Sequence, residues 1–132
     1  MTPEQLTLLA KDAMSRAYAP YSGFHVGAAL LCADGTVFTG SNVENGSYGA
    51  TNCAERTAFF TAVHAGHRDF SAIAICGGMG GEISDFVPPC GICRQVMSEF
   101  CGGDFEIHLL GPQDAIRSYS LSQLLPGAFV LK

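Results

Sequence analysis

The chain has 132 residues, which suits one domain, 1–132, built on one core. Apolar residues make up 48% and charged residues only 14%, against ~25% charged in typical soluble domains, so burial against further subunits is expected. A net charge of -5 with no basic footprint argues against a nucleic-acid binder, and no apolar run approaches the ~20 residues of a membrane span.

Thr2 with Gln5 reads as a capping box, and Pro3 suits the first helical position. Leu6, Leu9, Ala10, Ala13 and Ala17 follow helical spacing, and the helix should stop before Pro20. Residues 24–32 are strand-like, residues 33–36 carry a turn signal, and a second strand is expected over 37–44, which makes a hairpin. A helix should start near Asn52 or Cys53 and end at Gly66. It is apolar nearly all round, which predicts burial. His64, His67 and Arg68 read as its solvated end.

Residues 72–76 form a short apolar strand. The following Gly77-Gly78-Met79-Gly80-Gly81 lacks the Lys and Ser/Thr of a phosphate loop and reads as a flexible connection. A third helix is expected over 89–101. Phe105, Ile107 and Leu109 alternate with Glu106 and His108, which predicts a strand with one wetter face. Residues 121–125 suit a short helical turn before Pro126. Helix, hairpin and two strand-helix alternations imply a layered α/β domain with a mixed sheet.

Six cysteines and no basic-then-apolar leader at the N-terminus point to a reducing compartment. Clustered cysteines there serve as metal ligands or catalytic groups. Pro89-Cys90-Gly91-Ile92-Cys93 puts two thiols in a first helical turn, where free N–H groups and the dipole favour thiolates. Zinc is the default ion for this spacing, and a dithiol redox pair is the rival. Cys53 begins another helix and supplies a third thiol. Structural zinc sites close with four protein ligands, whereas catalytic ones leave a position for water. Cys32, Cys76 and Cys101 have no paired spacing and read as small buried hydrophobes.

Glu55 lies two residues after Cys53. The two side chains converge only if Cys53 is the helix cap, where the backbone is not yet helical. Glu55 is then a general base and acid beside metal-activated water; otherwise it only complements the helix dipole. Three thiolates on zinc leave about one negative charge, which an Arg56 guanidinium and two helix N-termini would offset. A surface ion pair is the alternative for Arg56.

Cys53-Ala54-Glu55 followed by Pro89-Cys90-Gly91-Ile92-Cys93-Arg94-Gln95 resembles the zinc signature of the cytidine deaminase superfamily. Tyr18-Ala19-Pro20-Tyr21-Ser22, Phe24 to Ala29, Asn42-Val43-Glu44-Asn45, Ser47-Tyr48-Gly49 and Leu124 to Phe129 extend the resemblance over nearly the whole chain. Cys, rather than His, at position 53 is typical of the small deaminases of free nucleosides. The resemblance implies a three-layer α/β/α fold around a mixed five-stranded sheet. It also implies one zinc per chain on Cys53, Cys90 and Cys93, and a cytoplasmic homotetramer in pyrimidine salvage. Glu55 would move protons to N3 and to the leaving amine of cytidine or 2′-deoxycytidine. Asn42 and Glu44, two apart on a strand and so on one side, would hold ribose hydroxyls. Phe24 would stack near the pyrimidine, Ala54 would bind substrate, and Tyr48 and Phe129 would complete a neighbour's site. A deaminase of another aminopyrimidine nucleoside such as blasticidin S is disfavoured by Arg56 and Glu44. A non-catalytic zinc module and a thiol oxidoreductase are the remaining readings.

Overall fold

In the computed structural model of the chain, residues 1–131 are described; Lys132, the last residue of the expected domain, lies outside the described residues. Thr2 Oγ1 accepts from Gln5 N at 3.1 Å, and Thr2 N donates to Gln5 Oε1 at 2.9 Å. This capping box starts helix α1, Pro3–Met14. The helix stops short of Ala17, contrary to its apolar spacing. Its end tightens into Arg16 N to Ala13 O and Ala17 N to Met14 O bonds, and Tyr18 N then turns to Asn42 O at 2.9 Å.

Strands β1, Phe24–Cys32, and β2, Val37–Ser41, form the expected hairpin. The second strand ends before residue 44 because a side chain takes over its ladder. Asn42 Oδ1 accepts from Val26 N and Asn42 Nδ2 donates to Phe24 O, both at 2.8 Å. Val43 instead bridges Tyr18 on one side and Asn52 on the other.

Helix α2 spans Ala54–His64, with Cys53 as its N-cap. It is not buried all round: Phe59 is fully covered, but Phe60 is 49% exposed. Its end is also less solvated than expected. Arg68 donates to Val63 O at 2.8 Å, and the half-buried His67 ring meets Phe38 edge-on with centroids 5.0 Å apart.

Strand β3, Phe70–Met79, runs past the apolar 72–76 segment. Gly77 and Gly78 are not a flexible connection but pair with Val26 and His25 of β1. Helix α3 is Gly91–Phe100, so Pro89 precedes the cap rather than opening the helix. Strand β4 is Glu106–Leu110, and β5 is Ile116–Ser120, an edge strand that the sequence pattern does not announce. Helix α4, Leu121–Leu124, begins with a second capping box on Ser120.

The sheet order is β2-β1-β3-β4-β5, parallel only between β3 and β4. One face carries Ile73, Ile75, Ile107 and Leu109 against Phe59 of α2 and Met97 of α3. The other carries Ala29, Ala74 and Leu110 against Leu6, Ala10 and Met14 of α1. This is the expected three-layer α/β/α fold on a mixed five-stranded sheet. Because α1 covers that second face, His108 is 4% exposed and not wet. Its Nδ1 pairs with Ser118 Oγ at 2.7 Å, and burial holds the imidazole below its ordinary value.

Gly40 decides how closely α2 approaches β2. A Cβ there would lie 2.5 Å from Ala54 O and 2.6 Å from Ala58 N. Gly40→Ala should therefore push the start of α2 off the sheet and cost about 1–3 kcal/mol, as overpacked cores do. Urea unfolding should show a lower midpoint at unchanged slope; an unchanged midpoint would contradict this packing.

Candidate active site

Three segments meet where α2 begins. Val43 N donates to Asn52 O at 3.0 Å and Asn52 N to Val43 O at 2.9 Å, while Glu44 N donates to Tyr18 O at 2.8 Å. Asn52 Nδ2 also donates to Thr57 Oγ1 at 3.1 Å. The residue before Cys53 is thus fixed from both sides. Cys53 itself has extended backbone, φ -74° and ψ 156°, so it caps α2 without joining the helix. Cys90 caps α3 in the same way, with φ -69° and ψ 170°, and Cys93 sits in that helix's first turn. Arg94 braces the approach, donating to Pro89 O at 2.7 Å and to Leu124 O at 2.6 Å.

The two helix starts face each other. Cys53 and Cys90 sulfurs are 3.9 Å apart, Cys90 and Cys93 sulfurs 3.5 Å, and all three lie within 4.8 Å of one another. A tetrahedral zinc with Zn–S bonds of about 2.3 Å requires sulfurs about 3.8 Å apart. The thiol trio therefore fits a zinc ion and leaves a fourth position outside the protein ligands. Arg56 Nη2 donates to Cys53 Sγ at 3.2 Å. It contacts the sulfur cluster and offsets its charge rather than forming a surface ion pair.

Protonation follows this geometry. The Cys93 thiol, hydrogen-bonded to Cys53, lowers Cys53 to about 5 against the opposing effect of burial, with Arg56 adding to the lowering. Cys93 is pushed up in turn, because its proton is held against the Cys53 sulfur. A cation replaces those protons and lets all three ionise. Glu55, in the first turn of α2, is 4% exposed. Burial raises its carboxyl to about 7, and the neighbouring Cys53 charge adds to the rise.

A cavity of about 200 Å³ is lined by Glu55, Cys53, Cys90, Ala54, Asn42 and Thr51, with Val87 and Pro88 forming a wall. A second, of about 390 Å³, is lined by Tyr21, Ser22, Glu44, Asn45, Tyr48 and Thr51. Thr51 belongs to both, so the two adjoin. Glu44 is aimed by its neighbours: it accepts from Tyr21 N at 3.0 Å, Ser22 N at 3.1 Å and the Ser22 hydroxyl. The Ser22 hydroxyl, foremost, holds its carboxyl below the ordinary range.

Most of the expected site residues thus converge. Asn42 and Glu44 do so without sharing a strand face, since β2 ends at Ser41 and the two line adjoining cavities. Phe24 is half-buried at the start of β1, touching the site through its carbonyl bond to Asn42. Phe129 stands apart from both cavities: its carbonyl accepts from Gln95 on α3, and the residue is 67% exposed. Thr51 and the Tyr21–Ser22 cradle are not singled out by residue type or spacing. The signal for Thr51 is adjacency to the Ser47–Gly49 and Cys53–Glu55 motifs, and Tyr21 and Ser22 belong to the Tyr18–Ser22 stretch that carries part of the resemblance. Among the described residues all six cysteines are free, and the close third sulfur favours a metal trio over a Cys90–Cys93 redox pair.

Residues 1–108 match the family model for the cytidine and deoxycytidylate deaminase zinc-binding region. The chain is 49% identical over 129 residues to a cytidine deaminase of Sporosarcina psychrophila, covering 98% of this chain and 92% of that one. It is 50% identical over 129 residues to one from Halalkalibacterium halodurans, covering 98% and 95%. A crystal structure of cytidine deaminase from Burkholderia pseudomallei superposes with a TM-score of 0.90 at 51% identity, covering 98% of this chain and all of that one. With a family model matched over residues 1–108 and relatives about half identical over nearly the whole chain, the chain belongs to the cytidine and deoxycytidylate deaminase family, an enzyme family with a zinc-binding region.

Proposed function

We propose that this enzyme hydrolyses cytidine and 2′-deoxycytidine to uridine and 2′-deoxyuridine, releasing ammonia, as a step of pyrimidine salvage. The observation that carries the reading is the buried Glu55 carboxyl at a cavity that Cys53 and Cys90 also line, with the Cys93 sulfur within 4.8 Å of theirs. Cys53, Cys90 and Cys93 would hold zinc, and zinc in such an open site supplies a Lewis acid that makes water nucleophilic near neutral pH. Glu55 would relay both protons of the attacking water: the first to N3 of the base, and the second, taken from the hydroxyl then carried by C4, to the amine that leaves. A carboxyl near 7 suits both directions of transfer, because neither protonation state is rare.

The adjoining cavity suits the sugar. Glu44, fixed and ionised by Ser22 and the Tyr21 and Ser22 N–H groups, accepts from a ribose hydroxyl. Asn42 spends its oxygen on Val26 N and one amide hydrogen on Phe24 O, which leaves its second N–H for the sugar. Ala54 lines the pyrimidine end, and Phe24 acts there by holding the Asn42 amide through its carbonyl. Arg56 tempers the charge of the thiolates so that ionising water stays favourable. One domain, 1–132, carries this site, and the free cysteines suit a cytoplasmic location. Among the described residues no helix is long and apolar enough to cross a membrane.

Glu55→Gln should keep about one zinc per chain and lose at least 10²–10⁴-fold in turnover, roughly the worth of a positioned acid–base group. Metal analysis beside the ultraviolet change from cytidine to uridine reads both quantities. Loss of zinc, or near-normal turnover, would refute the role.

The active form is a homotetramer with shared sites. Tyr48 is 85% exposed, Phe129 67% and Phe60 49%, an apolar surface suited to neighbouring subunits. Since Phe129 reaches neither cavity of its own chain, its ring would serve a neighbour's. Glu55→Gln and Phe129→Ala chains, refolded together with zinc, should give more activity than the sum of the two refolded apart. A simple average from confirmed mixed oligomers, with Phe129→Ala itself impaired, would place the ring in cis.

A further inference from the structure

A second cluster of ligating atoms lies at the other end of α2, about 16 Å along the helix from Cys53. Cys32 Sγ, an Asp34 carboxylate oxygen and a His67 ring nitrogen all lie within 4.8 Å of one another. Two pieces of backbone hold them there: the β1–β2 turn, which carries both Cys32 and Asp34, and the segment just past the end of α2, which carries His67. Cys32 closes β1, and its N–H donates to Thr36 O at 2.8 Å. Asp34 sits in the hairpin turn, where its Oδ1 accepts from Thr36 N at 3.0 Å, leaving Oδ2 to face His67.

His67 is placed by the end of α2. Gly66, at φ 100°, lets its N–H reach Val63 O while His67 N reaches Ala62 O, both at 3.0 Å. This pair of bonds is the Schellman closure of a helix. It fixes His67 directly beyond the negative end of the helix dipole, a place that favours a cation. The ring is held further by its edge contact with Phe38.

The spacing is that of a site rather than of a hydrogen bond. His67 Nδ1 and Asp34 Oδ2 are 3.7 Å apart, too long for a direct bond. Tetrahedral zinc with N and O ligands at about 2.0 Å would set them about 3.3 Å apart. A small closure therefore brings both onto one ion. Cys32 is 2% exposed while the Asp34 side chain is 60% exposed, so the trio runs from a buried sulfur to open water. Water can complete the coordination from that side.

We propose that Cys32, Asp34 and His67 form a second metal site for a zinc-class divalent cation, weaker than the thiol trio and outside the reaction. One sulfur, one imidazole and one carboxylate suit zinc or cobalt and disfavour magnesium or calcium, which take oxygen ligands. An ion there would tie the hairpin tip to the C-terminal end of the helix whose other end carries Cys53 and Glu55.

Cobalt(II) is the probe, added to protein already holding one zinc per chain. The native chain should take up about one further equivalent, with thiolate-to-cobalt absorption in the near ultraviolet and tetrahedral bands in the visible. Cys32→Ser should abolish the thiolate band, and His67→Gln should weaken binding at least about tenfold. His67 is only partly buried, so its variant carries the test if Cys32→Ser folds poorly. No saturable cobalt uptake by the native chain would leave a buried small thiol beside a surface ion pair and overturn the proposal. A signal retained in both variants would mean that cobalt had exchanged into the thiol trio, and it would overturn the proposal equally.

Discussion

Everything at the active site depends on bringing three thiols within bonding reach of one point. Thiolates so close repel one another strongly, and the fold answers with partial positive charge. The starts of α2 and α3 are directed at the cluster, and Arg56 donates to one of its sulfurs. Without a cation the trio shares protons unequally, with Cys53 giving its proton up readily and Cys93 retaining its own. The backbone thus organises the site to receive a cation in place of those protons.

The same geometry accounts for Glu55. A residue two positions after a ligand would point away from it on a regular helix. Cys53 escapes that rule by standing at the cap, so one short stretch supplies both a member of the thiol trio and a buried carboxyl. The position of that cap is governed elsewhere. Val43 pairs with Asn52, Gly40 lets α2 lie against β2, and Asn42 redirects the chain after Ser41. The adjoining cavity is assembled by comparable means, with Glu44 held by Tyr21 and Ser22 from the segment that follows α1.

Much of this is legible in the sequence because it rests on local rules. The CxxC spacing, the Cys53–Glu55 offset and the Thr2 capping box each depend on neighbours a turn away. What escapes depends on partners distant in sequence. The end of β2 is decided by an Asn42 side chain bonding residues 16 and 18 positions earlier. The burial of His108 follows from α1 covering its strand. Ile116–Ser120 pairs at an edge with only a weak apolar pattern of its own. Thr51 matters because two cavities meet there, which no periodicity records. The exposure of Phe60 shows the converse limit: an apolar helix face reads as buried whether its cover is the same chain or another.

The central claim is that Cys53, Cys90 and Cys93, and no fourth protein ligand, hold the catalytic ion. X-ray absorption at the zinc edge, on protein with one zinc per chain, tests it directly. The account predicts three sulfur neighbours at about 2.3 Å and one oxygen neighbour at about 2.0 Å. Four sulfurs would mean a closed structural site, and fewer than three would mean that the thiol trio is not the site; either result contradicts the account.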